Sequence, residues 1–186
     1  MKALVINNGT KRIEQIKNLL SGHYVDFLNM NDLKIGIEKN YDLVVLTGGH
    51  GARSNTKTRF YDKELEFIKN SNKPIFGICK GMQLICRAFG SKITYLGGER
   101  VRGVFDLKLN KKTFGVNNLK VCESHLLAVT QLGEDLDELA KSKVGIEIIK
   151  HRNKPIIGVQ FHPEADGEFG TNGRIVFDNF MKIIQQ

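Results

Sequence analysis

Two short segments of this 186-residue chain carry residue types whose order and spacing suit nucleophilic catalysis. The first reads Gly77-Ile78-Cys79-Lys80-Gly81-Met82-Gln83. An apolar run, residues 74–78, leads into Cys79, and a helical pattern begins near Gly81. A nucleophile with a glycine two residues to either side is the pattern of a nucleophile elbow, a sharp strand-to-helix turn. Such a turn crowds the backbone, and residues without a Cβ relieve the crowding. It presents the thiol at the C-terminal edge of a sheet, with the first amides of the next helix aimed at the sulfur. The Lys80 N–H is then placed to donate to an oxyanion. Taken alone, the same residues also fit a buried structural cysteine.

A thiol nucleophile needs a general base, and the base needs a third group to fix its tautomer. His162-Pro163-Glu164 supplies both types at the end of the apolar run 155–161. Pro163 biases His162 toward extended backbone, where residues i and i+2 face the same side. Glu164 can then reach the imidazole. On its own the triplet also reads as a polar turn closing a strand. Among the other histidines, His50 is expected at a pocket rim, and His23 and His151 on the surface. Cys86 and Cys122 lack the elbow context and are expected to be structural thiols. Three cysteines without Cys-x-x-Cys spacing point to no disulfide framework and no zinc or redox site.

The elements that would position these groups follow from hydrophobic periodicity. Runs 3–7, Leu43–Leu46 and 74–78 are continuous and apolar, as strands covered on both faces are. Segments 12–20 and 60–69 place apolar residues at helical spacing, as does Arg174–Ile184. Alternating strands and helices predict a mostly parallel central sheet flanked by helices, a flavodoxin-like three-layer α/β arrangement. Shorter β-like pieces at 104–109, 113–116, 119–122 and 128–130 predict antiparallel ribbons attached to that sheet, with a hairpin of 145–150 and 155–161. One α/β domain over residues 1–186 is the expected organisation.

Composition narrows the class of function. The charged fraction of 26% and hydrophobic fraction of 41% are those of a water-soluble globular protein. No apolar stretch has the length of a membrane span, and the N-terminal segment is too short in apolar residues for a secretory signal, so a cytoplasmic location is expected. The formal charge is +8, but the basic residues are scattered rather than grouped with aromatics, which argues against nucleic-acid binding. The glycine loops lack the Gly-Lys-Ser/Thr of a phosphate cradle, and no cofactor or metal is expected.

Together the two segments resemble the class I, or triad, glutamine amidotransferases. That family's cysteine and His-Pro-Glu motifs are matched by Gly77 to Gln83 and by Gly158-Val159-Gln160-Phe161-His162-Pro163-Glu164. Its strand-end glycine loop is matched by Thr47-Gly48-Gly49-His50-Gly51. The resemblance runs in the same order along the chain. It implies a catalytic triad of Cys79, His162 and Glu164, a γ-glutamyl thioester on Cys79, and ammonia as the leaving group. It also implies oxyanion donors near Gly49 and Lys80, and a glutamine site using Gln83, Ser124 and His125, with Gly51 in the adjoining loop.

Two branches of the family fit. The first is a glutaminase subunit feeding a separate synthetase, similar to GMP synthases at Ile6-Asn7-Asn8-Gly9 and Glu168-Phe169-Gly170 but without their Gly-Asp after Ser124-His125. Its synthetase would dock over the C-terminal sheet edge, on a surface including Arg100 and Arg102, and would complete the oxyanion hole. The second is a free-standing γ-glutamyl hydrolase, which Lys80 after the cysteine resembles. A catalytically silent regulatory subunit is the third possibility.

Overall fold

The computed structural model describes residues 1–50, 52–56, 59–110 and 113–185, with the backbone alone for Thr113. The chain opens with β1 (Lys2–Asn7), α1 (Ile13–Leu19), β2 (Tyr24–Asn29) and β3 (Leu43–Leu46). It continues through α2 (Asp62–Asn70), β4 (Ile75–Ile78) and α3 (Lys80–Ala88). Seven strands follow: β5 (Lys92–Tyr95), β6 (Val101–Lys108), β7 (Asn118–His125), β8 (Leu127–Gln131), β9 (Leu136–Lys141), β10 (Ile146–His151) and β11 (Ile156–Val159). The short α4 (Asp166–Phe169) and α5 (Arg174–Ile184) complete the described elements.

Strands are ordered β2-β1-β3-β4-β11-β10-β8-β5, with β9 also paired to β10. From β2 to β11 every pairing is parallel; from β11 outward every pairing is antiparallel. Strands β6 and β7 form a separate two-stranded ribbon running from Val101↔His125 to Lys108↔Asn118.

The inner parallel strands β3, β4 and β11 are apolar throughout, and β1 nearly so, because each faces a core on both sides. Ala3, Val5, Leu43, Val45, Phe76 and Ile78 point into one core with Ile16 of α1 and Phe177 and Phe180 of α5. Leu4, Ile6, Val44, Leu46 and Ile75 point into the other, against Phe67 and Ile68 of α2 and Leu84 and Ile85 of α3. This is the expected three-layer arrangement. Phe76 anchors the first core, with ring centroids 5.1 Å from Phe177 and 5.6 Å from Phe180.

Two glycines let α3 lie close against the sheet. A Cβ on Gly77 would stand 2.5 Å from the Ile85 side chain, and one on Gly81 would stand 2.2 Å from the Leu46 carbonyl oxygen. The motif's glycines therefore serve helix-to-sheet packing as well as the turn itself.

Several expectations need correction. Segment 113–116 is not a strand: Thr113–Gly115 is a 3-10 turn, with Phe114 at φ 61°. Strands β2, β5 and β9 were not foreseen. His151 is not a surface residue but is buried, stacked edge-on against Phe89 with centroids 4.5 Å apart, and its Nδ1 accepts from the backbone of Asn153 and Lys154. His23 is half-buried rather than exposed. Lys111, Lys112 and the loop residue Gly51 lie outside the described residues.

Candidate active site

Strands β1, β3, β4 and β11 all end at one edge of the sheet, where open α/β folds carry their sites. The edge gathers Asn8, the Thr47-Gly48-Gly49 loop, Cys79 and Gln160 to His162.

Cys79 closes β4. Its N–H donates to the Val159 carbonyl at 2.7 Å, and its own carbonyl accepts from the Gln83 N–H at 3.1 Å as α3 begins. Between these anchors its backbone takes φ 50° and ψ −101°, left-handed geometry that a non-glycine residue adopts at a cost of about 1–3 kcal/mol. The elbow expected from sequence is present, and the ladder and helix bonds on either side hold it. The Gln160 amide donates to the sulfur at 3.5 Å.

His162 lies next to the sulfur. Its N–H donates to the Cys122 carbonyl at 2.9 Å, which ties the end of β11 to β7. Its Nδ1 is 2.8 Å from Glu164 Oε1, and the Glu164 side chain is buried behind the ring. Nε2 is buried without a hydrogen-bond partner. Gly48 abuts both groups: a Cβ there would lie 3.2 Å from His162 Cε1 and 3.4 Å from Cys79 Cβ. Burial alone would lower the imidazole pKa; the Cys79 sulfur and Glu164 carboxylate outweigh it and hold His162 well above its usual 6.5. Cys122 also lines the pocket, but burial raises its thiol pKa.

Lys80 turns its side chain inward. Its ammonium donates to the His50 carbonyl at 2.6 Å and the Asn8 carbonyl at 3.3 Å, clamping the β1 and β3 loops together beside the elbow. Beneath them Asn8 donates to Glu64 at 2.9 Å. Burial raises the Glu64 carboxyl to about 7 against the opposing effects of Asn8 and Lys80. Gly49 packs so closely here that a Cβ would meet the Asn8 carbonyl oxygen at 2.0 Å.

Gln83 lines the pocket, but its amide is engaged inside the protein. Both N–H groups are used, toward the Leu127 carbonyl at 3.2 Å and Gln160 Oε1 at 3.0 Å, while its oxygen accepts from Ser54 at 2.6 Å. It braces the wall that it lines. His125 is likewise buried, with Nδ1 2.9 Å from the Leu127 carbonyl and Nε2 3.0 Å from Glu123. Ser124 faces the pocket and accepts from Arg100 at 3.2 Å.

These groups border one cavity of about 640 Å³. Gly49, Cys79, Lys80, Gln83, Ser124, His125 and His162 all line it, and Glu164 stands behind His162. The rim is cationic, with Lys11, Arg12, Arg53, Arg100 and Arg102, and a carboxylate-bearing ligand would be drawn to it. His50 lies in this lining, as expected for a rim residue. Sequence reasoning named Gly48 and Gln160 only as members of their motifs, without a role, and it missed Ser54. Gln160 carried a further signal: it sits two residues before His162, on the same face of an extended segment.

Comparisons with known proteins bear on the family and the fold. The family model "Glutamine amidotransferase class-I" matches residues 4–183. A glutamine-hydrolyzing GMP synthase subunit of Methanococcus vannielii is 30% identical over 191 residues, covering 97% of this chain and 95% of that protein. The corresponding protein of Pyrococcus abyssi is 35% identical over 139 residues, 72% of each chain. Among solved structures, a Thermoplasma acidophilum protein assigned provisionally as a GMP synthase subunit superposes with a TM-score of 0.86 at 26% identity, covering 100% of this chain and 94% of that one. A Thermotoga maritima glutamine amidotransferase shares the fold with a TM-score of 0.74 at 18% identity, covering 100% and 84%. No helix among the described residues is long and apolar enough to cross a membrane. With the family model spanning nearly the whole chain, and the elbow, glycine loop and His-Pro-Glu segment meeting at one cavity, the chain belongs to the class-I glutamine amidotransferase family.

Proposed function

We propose that this chain is the glutamine-hydrolysing subunit of a GMP synthase, with Cys79 as nucleophile, His162 as acid and base, and Glu164 as the group that orients His162. The observation that carries the reading is the placement of Cys79, at φ 50° on its elbow, beside a histidine whose Nδ1 is held by a buried carboxylate. The similarity to GMP synthase subunits over nearly the full length supports the choice of pathway.

The proposed reaction begins with the Cys79 thiolate and the His162 imidazolium. The sulfur adds to the γ-carboxamide carbon of glutamine, and the oxygen gains negative charge, met by backbone N–H groups at Gly49 and Lys80. Lys80 also acts through its side chain, because clamping the His50 and Asn8 carbonyls fixes the loop that carries Gly49. His162 gives its proton to the nitrogen, the C–N bond breaks, and ammonia departs, leaving a γ-glutamyl thioester. Water then adds to the thioester, His162 takes its proton, and glutamate leaves with the thiolate restored. Ammonia passes to a synthetase docked over the cationic rim. The basic residue after the cysteine, which sequence alone associates with γ-glutamyl hydrolases, here has a structural use and no longer favours that branch.

The test is glutamate release from glutamine and from a panel of γ-glutamyl amides, with and without the synthetase subunit of a GMP synthase. The expected result is slow turnover of glutamine alone, stimulation by the partner, and loss of at least about 10⁴-fold in Cys79→Ala. Preferred turnover of γ-glutamyl conjugates without any partner would replace the ammonia-supplying reading with a hydrolase.

A further inference from the structure

Behind the pocket wall three buried side chains converge: Glu123 and His125 from β7, and Glu147 from β10. Residues 123 and 125 are two apart on a strand and therefore share a face. One ligand atom from each of the three lies within 4.8 Å of the others. All are at least nine-tenths buried, with Glu147 only 1% exposed.

The hydrogen bonding leaves positive charge to be supplied at this cluster. His125 Nδ1 is 2.9 Å from the Leu127 carbonyl oxygen, which can only accept, so Nδ1 carries a proton. In the neutral ring Nε2 is then a lone pair, yet it faces Glu123 Oε2 at 3.0 Å. Glu147 Oε1 accepts from the Ser142 hydroxyl at 2.6 Å, while its Oε2 is buried with no hydrogen-bond partner. The ionisable groups acting on Glu147 are Glu123 and His125, and among the described residues Glu123 has an ion-pair partner only if the His125 ring is protonated. With the His125 ring neutral, two carboxylates and a ring lone pair converge with no lysine or arginine ion-paired to them among the described residues. Buried acceptors in that arrangement repel unless a shared proton or a bound cation lies between them, and the unpartnered Glu147 Oε2 offers a further ligand atom for a cation.

The geometry points to a divalent transition-metal site, with Zn²⁺ the best chemical match, formed by His125 Nε2 and one oxygen each from Glu123 and Glu147. One imidazole and two carboxylates suit Zn²⁺, whereas Ca²⁺ and Mg²⁺ favour larger all-oxygen shells. The supporting hydrogen bonds are already those of a metal site: the ligand histidine donates its other N–H to a carbonyl, and a ligand carboxylate is held by a hydroxyl. With ligands about 2.0–2.2 Å from the ion, the widest gap would close by roughly an ångström. The ion would tie β7 to β10 and fix the Ser124 to Leu127 edge that walls the glutamine cavity. Spacing rules could not find this site, because Glu147 joins the other two only through folding.

The test uses the full-length Cys79→Ala chain, which removes the proposed nucleophile as a competing ligand. After chelator treatment, Zn²⁺ is titrated by calorimetry and Co²⁺ by visible absorption. One equivalent of Zn²⁺ should bind, and Co²⁺ should show four-coordinate d–d bands without a thiolate charge-transfer band. Glu147→Gln should weaken Zn²⁺ binding at least tenfold, and Ser142→Ala, which leaves all three ligands in place, should weaken it about tenfold. No saturable binding by the folded chain would overturn the site. So would binding unchanged in both variants, or a Co²⁺ spectrum dominated by thiolate.

Discussion

The parallel and antiparallel halves of the main sheet meet at β11 and build their shares of the cavity differently. The parallel half presents Cys79, the glycine loop and His162 from strand ends, each delivered by its own short segment. The antiparallel half, with the β6–β7 ribbon, supplies a wall whose polar groups reach across elements. Gln83 on α3 reaches the Leu127 carbonyl, His125 reaches the same oxygen, and Glu147 approaches from β10. Reacting groups can thus be carried by local motifs, whereas the surface that holds a substrate depends on long-range packing. Disturbance of the first should act on the chemical step, and disturbance of the second on stability and substrate affinity.

The sharpest way to break this contrast is Glu164→Gln. The glutamine keeps the shape but removes the negative charge that helps hold His162 well above 6.5. A kcat loss of about 10²-fold or more is expected, with little change in KM. The sign of the pH effect follows from the proposed mechanism: if the active form carries His162 protonated before attack, activity falls as pH rises through its pKa. A lower His162 pKa must move the alkaline limb of the profile to lower pH. An unmoved limb would detach Glu164 from His162.

Gln83→Leu examines the junction of the two halves. It leaves the Leu127 carbonyl, Gln160 Oε1 and Ser54 without their shared partner. Loss of about 2 kcal/mol in chemical denaturation is expected, with KM for glutamine raised more than kcat is lowered. The reverse split would place Gln83 with the reacting groups.

The smallest effect is expected at Gly48→Ala. The added methyl would sit 3.2 Å from His162 Cε1 and 3.4 Å from Cys79 Cβ, tight but not impossible. Separating sulfur and imidazole by a few tenths of an ångström should lower kcat about tenfold and leave the melting temperature nearly unchanged.

The same contrast explains what the sequence made legible. Strands β1, β3 and β4 announce themselves because burial on both faces demands unbroken apolar runs. The motif around Cys79 is readable because its glycines answer local crowding at Leu46 and Ile85. Strand β9, Leu-Asp-Glu-Leu-Ala-Lys, is built of residues common in helices, and its pairing with β10 overrides that preference. Strand β2 lies at the sheet edge with only partial burial, so its pattern is weak. His151 looked polar and exposed because nothing near it in sequence reveals Phe89. Gln83 was legible as a pocket residue but not as one whose amide hydrogens are both engaged within the fold.

The central claim is that Cys79 forms the bond to the γ-carbon of glutamine. It is tested most directly by treating the chain with a glutamine analogue carrying an electrophilic γ-carbon and mapping the adduct by peptide mass spectrometry. The account predicts one adduct per chain, on Cys79, with glutamine protecting against it. An adduct on Cys122, or labelling of Cys79 that glutamine does not slow, would contradict it.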